Sequence, residues 1–184
     1  MKPNPLMSLD ELGETTRRII YIRHGEDTRS GYQYDEKLTK KGKTNSRKLA
    51  KELIHKYGVP DIIYCSPYYR TRQTRRQMLK VIKRVTDKKI DNITDPRLSR
   101  FFTRYEKRNP DIREDTLNKK APIYETWNDF KRRVRKQVKH MERKDEYNVI
   151  WCIGHTLIIK EVAKIKQIVR SDHIRYLDTV VLEL

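Results

Sequence analysis

Three features of the sequence predict an α/β fold, a three-layer sandwich with a mostly parallel central sheet and helices on both faces. Short apolar runs alternate with segments of helical periodicity along most of the chain. The apolar runs are continuous rather than alternating, as in strands buried on both sides. Three of them end directly in polar residues with chemical capability: Arg23-His24, Ser66 to Arg70, and Gly154-His155. Alternating strand and helix implies parallel neighbours with crossover helices packed on the sheet. In such sheets ligands bind beyond the carboxyl ends of the strands.

Residues Met1 to Thr16 carry two prolines and little periodicity and read as an arm. Residues 17–184 read as one domain. Ile19-Ile20-Tyr21-Ile22 is the first strand, and the polar stretch Asp27 to Lys37 is a loop. Thr39 is placed to cap the following helix, its hydroxyl accepting a backbone N–H otherwise left without a partner. That helix carries Leu49, Ala50, Leu53, Ile54 and Tyr57 at helical spacing and stops at Gly58-Val59-Pro60. Asp61 to Cys65 is a second strand. Ser66-Pro67 is expected to open a second helix with the proline in its first turn, and Met78, Leu79, Ile82 and Val85 form its apolar face. Lys89 to Leu98 holds a third strand. Ser99 to Ile123 is polar, contains Pro110 and Pro122, and reads as an excursion from the core. Helical rhythm returns with Trp127, Phe130, Val134, Val138 and Met141. Glu146 to Ile153 is a strand, Leu157 to Ile165 a helix, and Thr179 to Leu184 a last strand.

The 184 residues suffice for a real core without disulfides or metal staples. Cys65 and Cys152 each end an apolar run and are expected to be buried and reduced. Neither a signal-like apolar stretch nor a run near the roughly 20 residues of a membrane span is present, so a soluble intracellular protein is expected. Lys plus Arg number 43 against 25 Asp plus Glu, a formal charge of +18. Such an excess favours an anionic substrate or partner, including nucleic acid or another polyanion, but names no site. In the most basic stretch, Lys131 to Lys136, the charges alternate with the apolar stripe of a helix. A solvated helix face is the simpler reading there.

Parallel strands would bring Arg23-His24, Arg70 and His155 to one rim. A neutral imidazole nitrogen is a good nucleophile toward phosphorus. Phosphoryl transfer spreads negative charge over three oxygens, so the remaining task is positioning and cationic clamping. Arginine suits that task because its planar fork donates to two oxygens and keeps its proton. Two guanidiniums and a second imidazole around a nucleophilic histidine make a phosphate site that needs no metal. Gly25 would let backbone approach the oxyanion closely.

These residues resemble the signature of the histidine phosphatase superfamily, also called phosphoglycerate mutase-like. Arg23-His24-Gly25-Glu26 looks like its Arg-His-Gly motif. Asp35-x-x-Leu38-Thr39-x-x-Gly42 resembles the segment leading into its first helix. Ser66-Pro67-Tyr68-Tyr69-Arg70-Thr71-Arg72-Gln73-Thr74 resembles the segment carrying its second phosphate-binding arginine, and Gly154-His155 its second histidine motif. Four motifs occur in order over roughly Ile19 to Ala163. The resemblance implies a phosphatase in which His24 takes the phosphoryl group, with Arg23, Arg70 and His155 holding its oxygens. Gly25 and Thr156 are placed beside them as substrate contacts. It implies no cofactor or metal, and a phosphoprotein or small phosphate ester as substrate.

The pattern breaks where the family often supplies an acid for the leaving oxygen. Two residues after Leu98 stands Arg100, which cannot serve. Glu26 beside the nucleophile, or Glu106 in the excursion, is the expected replacement, with orientation of a neighbouring arginine as the other role for Glu26. Asp27 stands where a hydroxyl residue is common; because a carboxylate aimed inward would repel phosphate, it is expected to face a basic neighbour such as Arg29. Arg100 also leaves open a second reading, a low-activity or inactive member of the fold that serves as a basic nucleic-acid-binding or structural protein. Hydrolysis is favoured over mutase activity, since no second phosphate site is evident.

Overall fold

A computed structural model of the chain describes residues 16–28, 36–101, 125–168 and 173–184. All but the last residue of the expected arm over 1–16, nearly all of the excursion over 99–123, and residues Arg29, Asp35 and Glu106 lie outside the described residues.

The described strands are β1 (Arg18–Arg23), β2 (Ile62–Cys65), β3 (Asp91–Thr94), β4 (Val149–Gly154) and β5 (Thr179–Glu183). They form one sheet in the order β3-β2-β4-β1-β5. β1, β2, β3 and β4 run parallel, and β5 closes the edge antiparallel to β1. The helices are α1 (Lys40–Tyr57), α2 (Tyr69–Val85), α3 (Trp127–Glu142) and α4 (Thr156–Ile165).

Successive residues of a strand face opposite sides of a sheet, and in the three central strands β2, β4 and β1 both sides are dry. Ile19, Tyr21, Ile62, Tyr64, Ile150 and Cys152 face α3 and α4 in one core. Ile20, Ile22, Ile63, Cys65, Trp151 and Ile153 face α1 and α2 in the other. This two-sided burial is why the strands are continuous apolar runs. Both cysteines are buried free thiols, and burial pushes the Cys65 thiol up to about 11.

Several local expectations shift. Pro67 precedes the second helix instead of lying in its first turn, because α2 begins at Tyr69 with Tyr68 at its N-cap. Val85, at the last turn of α2, is 55% exposed instead of packed. Trp127 is 43% exposed but stacks on Phe130, with ring centroids 5.1 Å apart. Gly58 ends α1 with φ +86°, a conformation that favours glycine.

The docking of α1 decides where the histidine motif lies. Thr39 caps α1 by accepting from the Gly42 N–H, and its hydroxyl donates to Glu26 Oε1 at 2.9 Å. The backbone of residues 26–28 pairs with that of 37–39, through Thr39 N–H to Glu26 O, Thr28 N–H to Lys37 O and a bridge between Asp27 and Leu38. Gly42 sits against Glu26 so closely that a Cβ there would meet the Glu26 carbonyl oxygen at 2.1 Å. Backbone cannot yield cheaply at that distance. Gly42→Ala is therefore expected to cost about 3 kcal/mol of stability, at the upper end of overpacking. A urea midpoint equal to that of the parent would refute it.

Candidate active site

The ends of three adjacent parallel strands build the site. Arg23 of β1 pairs in register with Gly154 of β4, so His24 and His155 leave the sheet side by side. His24 N–H donates to Gly154 O at 3.1 Å. Cys65 of β2 pairs with Ile153, which brings Ser66 beside β4. The imidazoles of His24 and His155 lie 5.3 Å apart, edge to face. Both line a cleft of about 480 Å³ together with Arg23, Arg70, Arg100 and Thr156. Asp27, Glu36, Phe101, Leu157 and Tyr176 complete its described wall.

Hydrogen bonding fixes the tautomer of each imidazole. His24 Nδ1 lies 2.9 Å from Gly25 O. A carbonyl only accepts, so Nδ1 carries the hydrogen and Nε2 keeps its lone pair. Arg70 Nε donates to that Nε2 at 3.2 Å. At His155, Arg70 Nη2 lies 3.4 Å from Nδ1, so Nε2 carries the hydrogen and donates to Ser66 Oγ at 3.0 Å. Burial first, then the Arg70 guanidinium, holds the His24 pKa down to about 3, against an ordinary 6.5. The same two causes, in the same order, push His155 well below the usual range. Both rings are thus neutral near pH 7, the state in which His24 Nε2 is a nucleophile.

This depression couples stability to pH. An unfolded chain binds a proton on His24 below about pH 6.5, whereas the folded chain resists it until about pH 3. Stability therefore rises with pH across that window and falls on acidification through it, by about 5 kcal/mol at most from His24; His155 adds in the same direction. The urea midpoint is expected to drop more between pH 7 and pH 4 for the parent than for His24→Gln. Equal drops would refute the assignment.

Arg70 is the hub. Its side chain is 5% exposed and reaches both imidazoles, Glu36 Oε2 at 3.1 Å and Asp27 Oδ2 at 3.5 Å. It stands in the first turn of α2, where Ser66 O and Tyr68 O accept from the Thr71 hydroxyl. Arg23 lies across the cleft. It donates to Ile174 O at 2.6 Å and stacks on Tyr176 at 4.1 Å. Thr156 and Leu157 present the N-terminus of α4 to the cleft, an end that favours anions.

Three assignments made from sequence change. The Glu26 carboxylate does not line the cleft: it accepts from Thr39 and faces Lys41, 3.8 Å away, because it latches the motif to the start of α1. Asp27, the next residue of an extended backbone, points the other way. It is 8% exposed and packs between His24 and Arg70. Gly25 also has a different role. Its N–H donates to Thr74 Oγ1 at 3.0 Å, and a Cβ would meet Ser46 Oγ at 2.8 Å and Gly42 O at 3.0 Å. It lets α1 and α2 converge beneath the motif and does not itself face the cleft.

Sequence reasoning missed Glu36, Tyr176 and Arg133. Tyr176 OH donates to Asp27 Oδ1 at 3.2 Å, and its ring lies 5.6 Å from His24. The turn that carries it holds Leu177 at φ +66°, uncommon for a non-glycine residue. Arg133, read as part of a solvated face, turns inward: it pairs with Glu125 and donates to the carbonyls of Arg97, Ser99 and Arg100. It thereby ties the segment bearing Arg100 to α3. Among the described residues, no group of three or more His, Cys, Asp or Glu side chains could hold a metal ion, and no helix is long and apolar enough to cross a membrane.

The family model of the histidine phosphatase superfamily, branch 1, matches residues 19–178. The chain belongs to that superfamily. No curated protein matches this histidine phosphatase in sequence. Solved structures share its fold. The ecdysone phosphate phosphatase of Bombyx mori, in complex with tungstate, is 15% identical with a TM-score of 0.68, over 90% of this chain and 88% of that one. The alpha-ribazole phosphatase of Shigella flexneri is 22% identical with a TM-score of 0.58, over 80% and 78%. The protein histidine phosphatase SixA, also with tungstate, is 16% identical with a TM-score of 0.54, over 79% and 74%. Membership supports phosphatase or mutase-type chemistry.

Proposed function

We propose that this histidine phosphatase hydrolyses a phosphomonoester through a phosphohistidine on His24. The observation that carries the reading is the neutral His24 Nε2 in a cleft that also holds Arg23, Arg70 and His155; its lone pair accepts from Arg70 Nε and is released for attack when that guanidinium turns to a phosphoryl oxygen. A phosphoryl group seated there meets guanidiniums on two sides and the N-terminus of α4 on a third. His24 Nε2 attacks phosphorus, and the bond to the leaving oxygen breaks. Arg23 and Arg70 hold equatorial oxygens as charge spreads over them, and His155 joins them as the bound dianion draws a proton onto its Nδ1. Water then attacks the phosphohistidine and releases inorganic phosphate, freeing Nε2.

Tungstate in two structures of the same fold agrees with a tetrahedral oxyanion in this cleft. The volume, about 480 Å³, suits a small phosphate ester or a phosphorylated side chain. The Phe101 and Tyr176 rings offer walls for an aryl group, and Arg100 adds a cation favouring an anionic substrate. The test is release of phosphate from p-nitrophenyl phosphate, with rapid quenching at alkaline pH to trap a labelled phosphoenzyme. Turnover with acid-labile, base-stable label on His24 is expected. Absence of both would overturn the proposal.

A further inference from the structure

The residue two after Leu98 is a cation, Arg100, and Glu26 faces away from the cleft, so the proton for the leaving oxygen has to come from elsewhere. Among the described residues, two carboxyls line the cleft. Asp27 lies deep, its side chain 6% exposed, against His24 and Arg70. Glu36 lies further out, 13% exposed, and holds Arg70 Nη1 at 3.1 Å. The backbone pairing of 26–28 with 37–39 brings the two together on one guanidinium, that of Arg70. Two buried carboxyls sharing one site favour a proton on one of them.

We infer that Glu36 is the general acid toward the leaving oxygen and that Asp27, beside it on the Arg70 guanidinium, is the positioning residue whose charge favours a proton there. The inference rests on the phosphohistidine reading of the same cleft. Nucleophile and leaving oxygen take opposite sides of phosphorus in an in-line displacement. Asp27 is on the His24 side, and Glu36 is nearer the mouth, where the leaving group departs. In the first step the N–P bond forms, the P–O bond to the leaving group breaks, and the proton of Glu36 passes to that oxygen. In the second step water attacks phosphorus, the P–N bond breaks, and a water proton returns to the pair. The pair ends as it began.

The surroundings favour a proton on Glu36. Burial raises the Glu36 pKa, Arg70 opposes that, and Asp27 adds to it. The groups facing the pair are His24 at the end of β1, Arg70 from α2, Arg100 after β3, and Tyr176 from the turn before β5, whose hydroxyl donates to Asp27. Tyr176 occupies Asp27 Oδ1, while Arg70 and His24 lie near Oδ2.

The test compares two leaving groups on one preparation, so that the rate ratio does not depend on the folded fraction. Dinitrophenyl phosphate needs no proton to depart; an alkyl phosphate does. Glu36→Gln is expected to lose about 10²–10⁴-fold on the alkyl ester and far less on the dinitrophenyl ester. The alkaline limb of the parent pH profile on the alkyl ester should vanish with it. Asp27→Asn should move that limb to lower pH, which a merely structural role would not do. Equal losses of Glu36→Gln on both esters, or an unmoved limb in Asp27→Asn, would overturn the inference while His24-dependent cleavage of the dinitrophenyl ester stands. A parent protein that cleaves neither ester would overturn the phosphatase reading as well.

Discussion

His24→Ala is expected to lower kcat for p-nitrophenyl phosphate by at least about 10⁴-fold, because it removes the atom that bonds phosphorus and leaves only binding and cationic stabilisation. The remaining parts of the cleft stay in place. Arg70 keeps Asp27 and Glu36, and His155 keeps its bond to Ser66. The variant should therefore still bind tungstate or vanadate while forming no covalent phosphoenzyme. Stability near pH 7 should fall only modestly, since the lost ring is neutral and Arg70, though it loses the His24 Nε2 acceptor, keeps Asp27 and Glu36. Turnover within a few-fold of the parent would mean that some other group accepts the phosphoryl.

The second large effect is at Arg70. One guanidinium touches both imidazoles and both cleft carboxylates, so Arg70→Ala removes several things at once. A lost oxyanion donor alone is worth about 10²–10³-fold in kcat. Breaking a buried ion pair by removing one partner costs about 3–5 kcal/mol, because the other charge stays behind. A fall of both kcat/KM and the urea midpoint is therefore expected. Arg70→Lys should recover little of either. An ammonium is a point charge on a flexible stem and cannot span four partners as a planar fork does. Parent-like activity in Arg70→Lys would show that charge suffices and geometry does not matter.

The clamp was legible in the sequence because it hangs on the sheet. His24, Arg70 and His155 each follow an apolar run, and parallel register carries such residues to one rim. The carboxylates were not legible for a related reason. Glu26 and Asp27 are neighbours in an extended segment, and neighbours there face opposite ways. Sequence names the pair but not which of the two faces the histidine. That parity is set by α1, which meets the motif through Thr39 and Gly42. Glu36 reaches the cleft only through an isolated bridge between two loop segments, which leaves no periodic trace. Tyr176 depends on a turn with Leu177 at positive φ, a conformation that leucine does not advertise. Arg133 was one basic residue among many, and only the carbonyls it meets distinguish it.

The register of β1 against β4 has a wider consequence. The spacing of the two imidazoles is fixed by ladder hydrogen bonds between neighbouring strands, so a side-chain change in the cleft wall that leaves the ladder intact should alter what the cleft admits without moving the two rings apart.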